Sequence, residues 1–407
     1  MDDDLKRYYK FRSMLLIMAI WVMMVISIYQ YSWSLFAFAL SRELKWDLAT
    51  VGLAFTVFAY TATFIQPFSG YIADSFGPRK VSILAAVLVG LGFFLSSLAT
   101  SPNQFYLSYG LGSVGVGILY GLSTASAIKW FPDKRGLATG LVVFGFGAGT
   151  ALFNWIIQRS LDDYGFRLTF QYLGLLMLLA LVPAALFYKY PPSQWKPLSP
   201  APGKKVIQPS LEFRPQEMLK TYQWYLIYFC FAFTVSIVLL FAAQMKMVAK
   251  EYHLPQTYFN WLLVIFPLGN GLSRIVSGTV SDKLGREKTM MIFFGLLGLS
   301  IMALLKFGEH PLAFVIIVFI AALLGGSPFA LYPATIGDYY GSRYSTVNYG
   351  ITYTAKAWAG LISGWLSGYF MVHSGSYKIP LIMAAIASML AALFSNPRWM
   401  KSPQRKK

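Results

Sequence analysis

The chain has 407 residues, of which 57% are hydrophobic and 12% are charged, and its formal net charge is +18. A charged fraction about half that of soluble proteins excludes a soluble multidomain enzyme, because so few polar groups cannot cover its surface. This composition is typical of a protein with many membrane-spanning segments. The single cysteine, Cys230, excludes a disulfide framework and a cysteine-ligated metal site.

Apolar runs of membrane length occur along the whole chain. A bilayer core about 30 Å thick requires roughly 20 helical residues. Runs of this size lie at residues 14–40, 49–73, 81–100, 104–128, 137–159 and 167–189, and then at 222–248, 257–281, 289–307, 311–333, 347–372 and 377–396. The first run is too long for a signal-peptide core. The sequence therefore predicts an all-α membrane protein with twelve transmembrane helices in two six-helix bundles.

The two sets of six are separated by a polar stretch that lacks apolar periodicity. Residues 190–221 are rich in Pro, Lys and Gln, which is typical of a linker. We therefore predict an N-terminal bundle over residues 1–189, a cytoplasmic linker over 190–221 and a C-terminal bundle over 222–396. Residues 397–407 form a basic tail after the last apolar run.

The positions of the basic residues predict the orientation in the membrane. With the N-terminus inside, 24 Lys and Arg residues fall in cytoplasmic segments and eight in outer loops and helix ends. The positive-inside rule therefore predicts that both termini are cytoplasmic. Because the charges are dispersed over seven segments, they indicate topology and exclude a nucleic-acid partner. The predicted location is a bacterial inner membrane.

One motif, Gly-x-x-x-Asp-x-x-Gly followed by basic residues, occurs once in each half between two apolar runs. Its residues are Gly70, Asp74, Gly77 and Arg79 in the first copy, and Gly278, Asp282, Gly285 and Arg286 in the second. We expect the glycines to permit close helix packing and the aspartates to accept hydrogen bonds from a helix N-terminus. The motif resembles the loop between the second and third helices of each half in major facilitator superfamily transporters, which implies gating. A looser repeat, residues 130–140 with Arg135 and residues 338–350, supports the division into halves.

Several patterns that suggest other chemistry lack the context they need. Residues 110–115 spell a dinucleotide-binding fingerprint but follow no strand, so they predict close helix packing, as do the glycines of residues 145–149. The histidines lie near outer loops without a neighbouring carboxylate, which predicts surface residues: His253, His310 and His373. No catalytic constellation or metal-ligand cluster is visible, so we predict no enzyme, cofactor or metal site.

Two basic residues, Arg274 and Lys356, lie inside apolar runs. They fall roughly 11 and 14 Å from the cytoplasmic ends of their helices, close to the middle of the bilayer. A cation at this depth costs about 2.5 kcal/mol or more, so it should face a cavity or a partner. No run has a carboxylate near mid-depth, which predicts that the cargo supplies the negative charge. The alternative is that both cations bind backbone carbonyls or reach the membrane surface.

The chemistry of the two cations suggests the class of ligand. The arginine fork matches a carboxylate and the lysine adds a point charge, which suits a small dianion, or a monoanion with a proton or water. Aromatic residues on other helices are candidates for the rest of the chamber: Tyr31, Trp33, Tyr120, Phe146, Phe329 and Tyr353. Tyr353 is three residues from Lys356 and shares its helix face. For each ring taken alone, packing in the protein core is a sufficient explanation. Tyr31 and Tyr120 are the strongest candidates for contact with the ligand.

Over nearly its whole length the chain resembles the oxalate/formate antiporter branch of the superfamily, which is related to the monocarboxylate transporters. The resemblance is carried by residues 30–33, 130–138 and 348–350, by Asn270 with Arg274, and by Ala355 with Lys356. It implies a major facilitator fold, a monomer, and roles for Arg274 and Lys356 as the clamp for two carboxylates, with Asn270 beside them.

The chain also departs from this branch. An oxalate carrier of the branch has tyrosine at the positions of Phe146 and Phe329, and tryptophan near Gly325 and at Tyr353. The chamber here is expected to be less polar and roomier, with space for larger or monocarboxylic acids. Animal monocarboxylate transporters have an aspartate at the position of Asn270, so a proton relay based on that aspartate is absent.

The sequence therefore predicts an alternating-access carrier of small carboxylates, with oxalate/formate-type anion exchange as the leading mechanism. Proton-coupled symport of a monocarboxylate such as lactate, pyruvate or formate is the alternative, with protons as a further partner. A sensor that kept the carrier fold would be expected to have long signalling tails, and both tails are short.

Overall fold

The structure, a computed structural model, describes residues 3–131, 133–192, 212–341 and 344–403. These residues form helices joined by short connections, with no β-strand among them. Most of the predicted linker (193–211) and the end of the tail (404–407) lie outside the described residues, and so do the surroundings of Gly70 and the side chains of Asp74 and Arg135.

The N-terminal half has six membrane-spanning helices, and three of them, α1, α2 and α5, are interrupted within the span. Their bounds are Asp3–Ile26, Ile28–Tyr31 and Trp33–Leu44 for α1, Leu48–Phe64 and Gln66–Phe76 for α2, Pro78–Ser97 for α3, Pro102–Trp130 for α4, Arg135–Ala148 with the turn Gly149–Ala151 and residues 154–164 for α5, and residues 166–185 for α6. Gly165 separates α5 from α6 with a φ of 73°, which favours glycine.

The C-terminal half repeats this plan after a one-turn helix, Pro215–Met218. Its bounds are Tyr222–Glu251 for α7, Gln256–Leu284 for α8, Arg286–Phe307 for α9, Pro311–Gly325 and Pro328–Tyr340 for α10, Ser345–Tyr353, Ala355–Leu361, Ile362–Leu366 and Ser367–Ser374 for α11, and Lys378–Phe394 for α12. Residues 362–366 form a π-helical stretch.

The helices are long and apolar enough to explain the predicted spans. Nine helical stretches of the described chain qualify by length and hydropathy, and one of them, residues 137–185, contains both α5 and α6. The remaining two spans are α11, which is broken, and α12, an apolar helix of 17 residues. Large side chains on the outside, such as Leu107 and Leu179 at 76% and 77% exposure, suit contact with lipid. The prediction of twelve transmembrane helices in two halves is confirmed.

The repeated motif forms the same turn in both halves. Gly77 ends α2 with a φ of 86°, and Gly285 ends α8 with a φ of 89°. These positive φ values explain the glycines, because residues with a Cβ rarely adopt them. The expectation of close packing is wrong for Gly77, Gly278 and Gly285, since a Cβ at each would meet no atom closer than 3.9 Å.

The charged residues of the second motif copy form ion pairs. Arg286 donates to Asp282 over 2.9 Å and to Asp338 over 3.0 Å. Asp282 therefore accepts from an arginine side chain and not from a helix N-terminus, which corrects the expectation for this residue. Because Asp338 belongs to the looser repeat, the two repeats meet in the C-terminal half. In the first copy, Arg79 is exposed.

The halves contact one another where Leu48–Phe64 packs against residues 355–374 and where Trp33–Leu44 packs against Tyr222–Glu251. We call the side that carries both termini the terminal side, and the opposite side the distal side. Small residues allow α2 and α11 to touch on the distal side: a Cβ on Gly52 would meet the backbone of Gly364, and one on Gly360 would meet Ala59. The distal side is therefore the closed side of the molecule.

A polar cluster also joins the halves on the distal side. Pro267 has no N–H, so the Leu263 carbonyl one turn earlier in α8 lacks its helical partner. The Asn154 amide donates to this carbonyl over 3.0 Å, and the Ser32 hydroxyl donates to the Asn154 side-chain oxygen over 2.7 Å.

One turn further along α5, Lys246 of α7 donates to Gln158 over 2.6 Å. Gln158 in turn donates to Asp162 over 2.6 Å. We call Asn154, Gln158, Lys246 and the Leu263 carbonyl the distal latch. Because its hydrogen bonds link α5 to two helices of the other half, they must break when the distal side opens.

Replacing Asn154 by leucine is expected to loosen the distal side. Of the two hydrogen bonds that the change removes, only the one to the Leu263 carbonyl crosses between the halves. A bond of this kind is worth about 1 kcal/mol, so opening should become roughly fivefold easier. Leu48 lies against Gly368 on the distal side. A cysteine introduced at Leu48 should then react faster with a membrane-impermeant maleimide. Cys230 is buried, so it should not react with the reagent. Asn260→Leu is the matched control, because among the described residues Asn260 pairs with Gln256 of its own helix and with no residue of the other half. Equal labelling rates in the two variants would contradict a latch.

Candidate substrate-binding site

Helix breaks cluster around the two buried cations. α1 is interrupted at Ser27 and Ser32, α10 at residues 326–327, and α11 at Thr354, two residues before Lys356. Irregular backbone at membrane depth is tolerated where it lines a cavity or is buried in protein, and π-helical stretches are frequent at functional sites. Broken helices also form the midplane sites of many transporters. The backbone therefore marks the same region as the cations.

Arg274 lies on α8 with 5% of its surface exposed. One terminal nitrogen donates to the Val143 carbonyl of α5, and the guanidinium lies 5.3 Å from the centre of the Phe329 ring. Gly147 makes this position possible, because a Cβ there would overlap the guanidinium and approach Gly271 to 2.9 Å. The Arg274 Nε is buried without a partner among the described residues. Part of the fork is thus held by the protein and part is free for a ligand.

Lys356 lies on α11 and is 2% exposed. Its ammonium is surrounded by three rings, with centres at 5.5 Å for Tyr353 and 5.8 Å for Phe58 and Phe146. Among the described residues it has no hydrogen bond or ion pair. Aromatic faces attract a cation through the ring quadrupole but supply no negative charge. The ammonium is therefore buried and unneutralised.

The two cations also act on one another. Arg274 lies close enough to Lys356 for electrostatic repulsion between them. Arg274, like Lys356, has no ion pair within the part of the chain that the structure describes. The expected excess of positive charge is present, and it attracts a small anion. The alternative that both cations bind backbone carbonyls applies in part to Arg274 and not to Lys356.

Aromatic rings from both halves form a continuous chain across the site. Phe146 contacts Tyr31 and Tyr120, with ring centres at 5.7 and 5.1 Å. Tyr120 contacts Tyr353 at 5.9 Å, and Tyr353 contacts Phe329 at 6.3 Å. All five rings are buried. The structure therefore brings these five candidates together with the two cations and places them where they exclude water.

Trp33 is the candidate that the structure places elsewhere. Its ring lies in the core of the N-terminal half, 4.9 Å from Tyr109 and 5.9 Å from Phe55. The break at Ser32 separates it from Tyr31, so the two aromatic side chains face different neighbours. Trp33 contributes to packing, which corrects its assignment to the substrate.

Asn270 lies one turn before Arg274 on α8 and is fully buried. The Tyr31 hydroxyl lies close to Arg274, Asn270 and Gln30. None of these three residues completes a hydrogen bond of ordinary geometry with the Tyr31 hydroxyl, and both polar atoms of Asn270 and of Gln30 lack partners among the described residues. Asn270 is thus placed with the cations, as expected from the sequence.

Sequence reasoning missed two contributors to the site, Phe58 and Gln30. Phe58 resembles the other apolar residues of α2, and only the packing of α2 against α11 brings its ring to Lys356. Gln30 offered a usable signal, because a glutamine within an apolar run is costly unless it has a function. The glycines of residues 145–149 were correctly assigned to packing: they face Ile20, Arg274 and Met24. The histidines are exposed, as predicted.

Comparison with known proteins agrees with this fold. A family model described as Major Facilitator Superfamily matches residues 17–247 and 224–407. The oxalate:formate antiporter of Oxalobacter formigenes is 33% identical over 96% of this chain and 93% of its own length. Monocarboxylate transporter 13 of Bos taurus is 25% identical over 84% and 77%, respectively. The partially occluded inward open structure of the Escherichia coli xylose transporter XylE superimposes with a TM-score of 0.72 at 14% identity, covering 98% and 99% of the two chains.

Proposed function

The chain belongs to the major facilitator superfamily, and from this premise we propose that it exchanges small carboxylate anions across a membrane. The family and the relatives are transporters and not enzymes. The proposed mechanism is alternating access with exchange of the oxalate/formate kind. Oxalate and formate are named as cargo because they are the substrates in the name of a relative at 33% identity.

A single observation carries the proposal: two buried cations, Arg274 and Lys356, without a carboxylate partner among the described residues. A buried charge is stable when it is paired, and here the pairing is left to a ligand. The Arg274 fork can hold one carboxylate through two N–H groups, and Lys356 supplies a second positive charge for the rest of the anion.

The location of the groups explains how binding is coupled to movement. Both cations belong to the C-terminal half, whereas Tyr31, Tyr120 and Phe146 belong to the N-terminal half. An anion held by Arg274 and Lys356 also contacts these rings, so it bridges the halves and favours a closed chamber. Without an anion, the chamber holds two unneutralised cations, and their unpaired charge opposes closure of the chamber. This difference supports exchange, in which only the carrier with a bound anion changes between its inward-open and outward-open states.

The remaining parts of the proposal follow from the distribution of charges and helices. We place both termini in the cytoplasm and the distal side outside, in a bacterial inner membrane. The domains are the bundles 1–189 and 222–396, the linker 190–221 and the tail 397–407. Gly70, Asp74, Arg79 and Arg135, with the second motif copy, act in the movement of the bundles. A monomer contains the whole site.

The experiment is uptake of labelled oxalate by proteoliposomes preloaded with formate, oxalate, lactate or buffer alone. Exchange predicts rapid uptake only when an anion is inside, with rates at least about tenfold above those of buffer-loaded vesicles. Imposed pH gradients should have little effect, because Asn270 takes the position of the aspartate that would relay a proton.

Two results would contradict this proposal. Uptake of lactate into buffer-loaded vesicles under an inward proton gradient, with no exchange of oxalate, would identify a proton-coupled monocarboxylate symporter. If vesicles that contain folded protein took up no carboxylate at all, carboxylate transport would be excluded.

A further inference from the structure

A cavity of about 540 Å³ lies at the mouth of the distal side, between the two halves of the molecule. Arg42 of α1 and Leu48 of α2 line it from the N-terminal half, and Lys250 of α7 and Met371 of α11 line it from the C-terminal half. We call this space the distal cavity. Cavities of this size hold small ligands in other proteins. Because both halves supply its walls, the distal cavity exists only while the distal side is closed.

Three cations surround Phe38, a half-buried ring in the wall of the distal cavity. The Lys246 and Lys250 ammonium groups lie 4.4 and 5.7 Å from the ring centre, and the Arg42 guanidinium lies 6.0 Å from it. Lys246 donates to Gln158 in the distal latch, whereas Arg42 and Lys250 line the distal cavity. These two belong to opposite halves, so closing the distal side brings two like charges towards one another.

Two carboxylates of this region are occupied by the backbone of other helices. Both oxygens of Glu43 accept from the Phe166 N–H at the start of α6, and Glu251 accepts from the Tyr377 N–H at the start of α12. A carboxylate at this place compensates the positive end of the helix dipole. Neither residue is therefore a full counter-charge for the cations of the distal cavity.

The cations that line the distal cavity have donors to spare. Lys250 has no hydrogen bond or ion pair among the described residues, and Arg42 reaches Glu43 through one nitrogen at 3.4 Å. An ammonium and a guanidinium offer donors and no acceptor, so they suit the oxygens of an ionised carboxylate. Because one cation stands on each side of the cavity, a ligand with a negative charge at each end fits both.

We propose that the distal cavity binds a small carboxylate dianion between Arg42 and Lys250, and that the bound anion holds the distal side closed. The anion links one cation of each half and cancels their repulsion. When the distal side opens, the two cations separate and the anion loses one partner. A ligand that binds one state better shifts the equilibrium to that state, so ten times its Kd should reduce opening about tenfold.

This site is separate from the central chamber and goes beyond the proposed function. Phe38 follows Tyr31 by seven residues of α1, which places it roughly 10 Å further towards the distal side. The inference needs only that the distal side opens and closes, and it does not depend on which cargo the central chamber carries. An anion on the distal side thus acts as a regulator of the carrier.

Thr56→Cys reports whether the distal side is open. Thr56 is 5% exposed, and its hydroxyl donates to the Gly360 carbonyl of α11, in the contact between the halves. The test measures how fast N-ethylmaleimide, an uncharged reagent, labels the purified full-length protein with and without oxalate. Cys230 is buried and should not react. The reporter is combined with Lys356→Gln, which weakens binding of oxalate in the central chamber.

Saturating oxalate should slow the labelling at least about fivefold, and chloride at the same ionic strength should have little effect. In Arg42→Gln and in Lys250→Gln this protection should fall at least about threefold. Both side chains are exposed, so neither change should prevent folding. Lys306→Gln is the matched control and should keep full protection, because Lys306 is exposed at the distal end of α9 and outside the cavity.

Equal labelling with and without oxalate would overturn this inference. Full protection by oxalate in both Arg42→Gln and Lys250→Gln would also overturn it, because the anion would then act elsewhere. Protection by chloride as strong as that by oxalate would do the same, since it would indicate screening of surface charge and not a site. The labelling requires no transport. Proteoliposomes that exchange no carboxylate would therefore contradict the proposed function alone, and exchange without protection would contradict this inference alone.

Discussion

Replacing Arg274 by lysine is expected to reduce anion exchange roughly 100-fold, although the positive charge is kept. The guanidinium binds the Val143 carbonyl, lies against Phe329 and still presents a free edge to the ligand. A lysine ammonium is a compact point charge, so it cannot bind the Val143 carbonyl, lie against Phe329 and bind the ligand at the same time. Truncating one partner of a buried, hydrogen-bonded charge pair costs about 2–5 kcal/mol, which corresponds to roughly 30-fold to several-thousand-fold. The measurement is the initial rate of exchange in proteoliposomes with equal amounts of folded protein.

Arg159→Lys is the matched control for this substitution. Arg159 forms an ion pair with Asp163 on the surface, and its side chain is 68% exposed. Exposed ion pairs contribute little, so exchange should be unchanged. If Arg274→Lys retained more than about a third of the rate, a point charge would be sufficient and the fork would have no special role.

Gly147→Ala tests the same arginine without altering it. The added methyl group overlaps the guanidinium and approaches the Gly271 backbone, so Arg274 must move. We expect a loss of exchange in the same direction as for Arg274→Lys. Gly295→Ala is the control, because its Cβ would meet only Ala392 at an ordinary distance of 3.8 Å. Equal exchange rates in Gly147→Ala and Gly295→Ala would mean that the arginine need not occupy its observed position.

Replacing Lys356 by glutamine is expected to affect dianions far more than monoanions. The unaltered chamber holds two positive charges, which match the two negative charges of oxalate. With glutamine in place of lysine, a dianion enters a buried site as a net negative charge, which is costly in a low dielectric. We expect oxalate exchange to fall roughly 100-fold or more, and formate exchange to fall much less. Parallel measurements of both anions in the same vesicles give the ratio.

Lys306→Gln provides the comparison, because Lys306 is exposed near the end of α9 and outside the site. It should leave both rates unchanged. If Lys356→Gln lowered oxalate and formate exchange by the same factor, Lys356 would have a general role in movement or folding. If neither rate changed, the two-cation clamp would be wrong.

Much of the architecture could be predicted from local properties of the chain. Membrane-length apolar runs predict helices directly, because a bilayer forces every backbone polar group to be satisfied within its own helix. Arg274 and Lys356 stand out for a related reason, since a cation in an apolar run is costly and needs an explanation. The repeated Gly77 and Gly285 turns were also visible, although their physical reason is positive φ and not close packing.

The contacts around the cations were decided only by tertiary structure. Trp33 and Phe58 are both aromatic residues of apolar runs, yet Phe58 faces Lys356 and Trp33 lies in the core of its own half. Their roles depend on the rotation of each helix, which the break at Ser32 changes in α1. The distal latch likewise depends on Pro267 freeing a carbonyl beside Asn154, more than 100 residues away along the chain.

Hydropathy and charge along the chain thus determined that this protein crosses the membrane twelve times and buries two cations, beside which the described part of the chain places no carboxylate. These properties follow from the transfer of each segment from water to lipid, which depends on local composition. Which rings surround Lys356, which carbonyl holds Arg274, and which amides are left without partners were decided by the packing of separate helices. Side-chain contacts between helices depend on their crossing and rotation, and these are properties of the assembled fold.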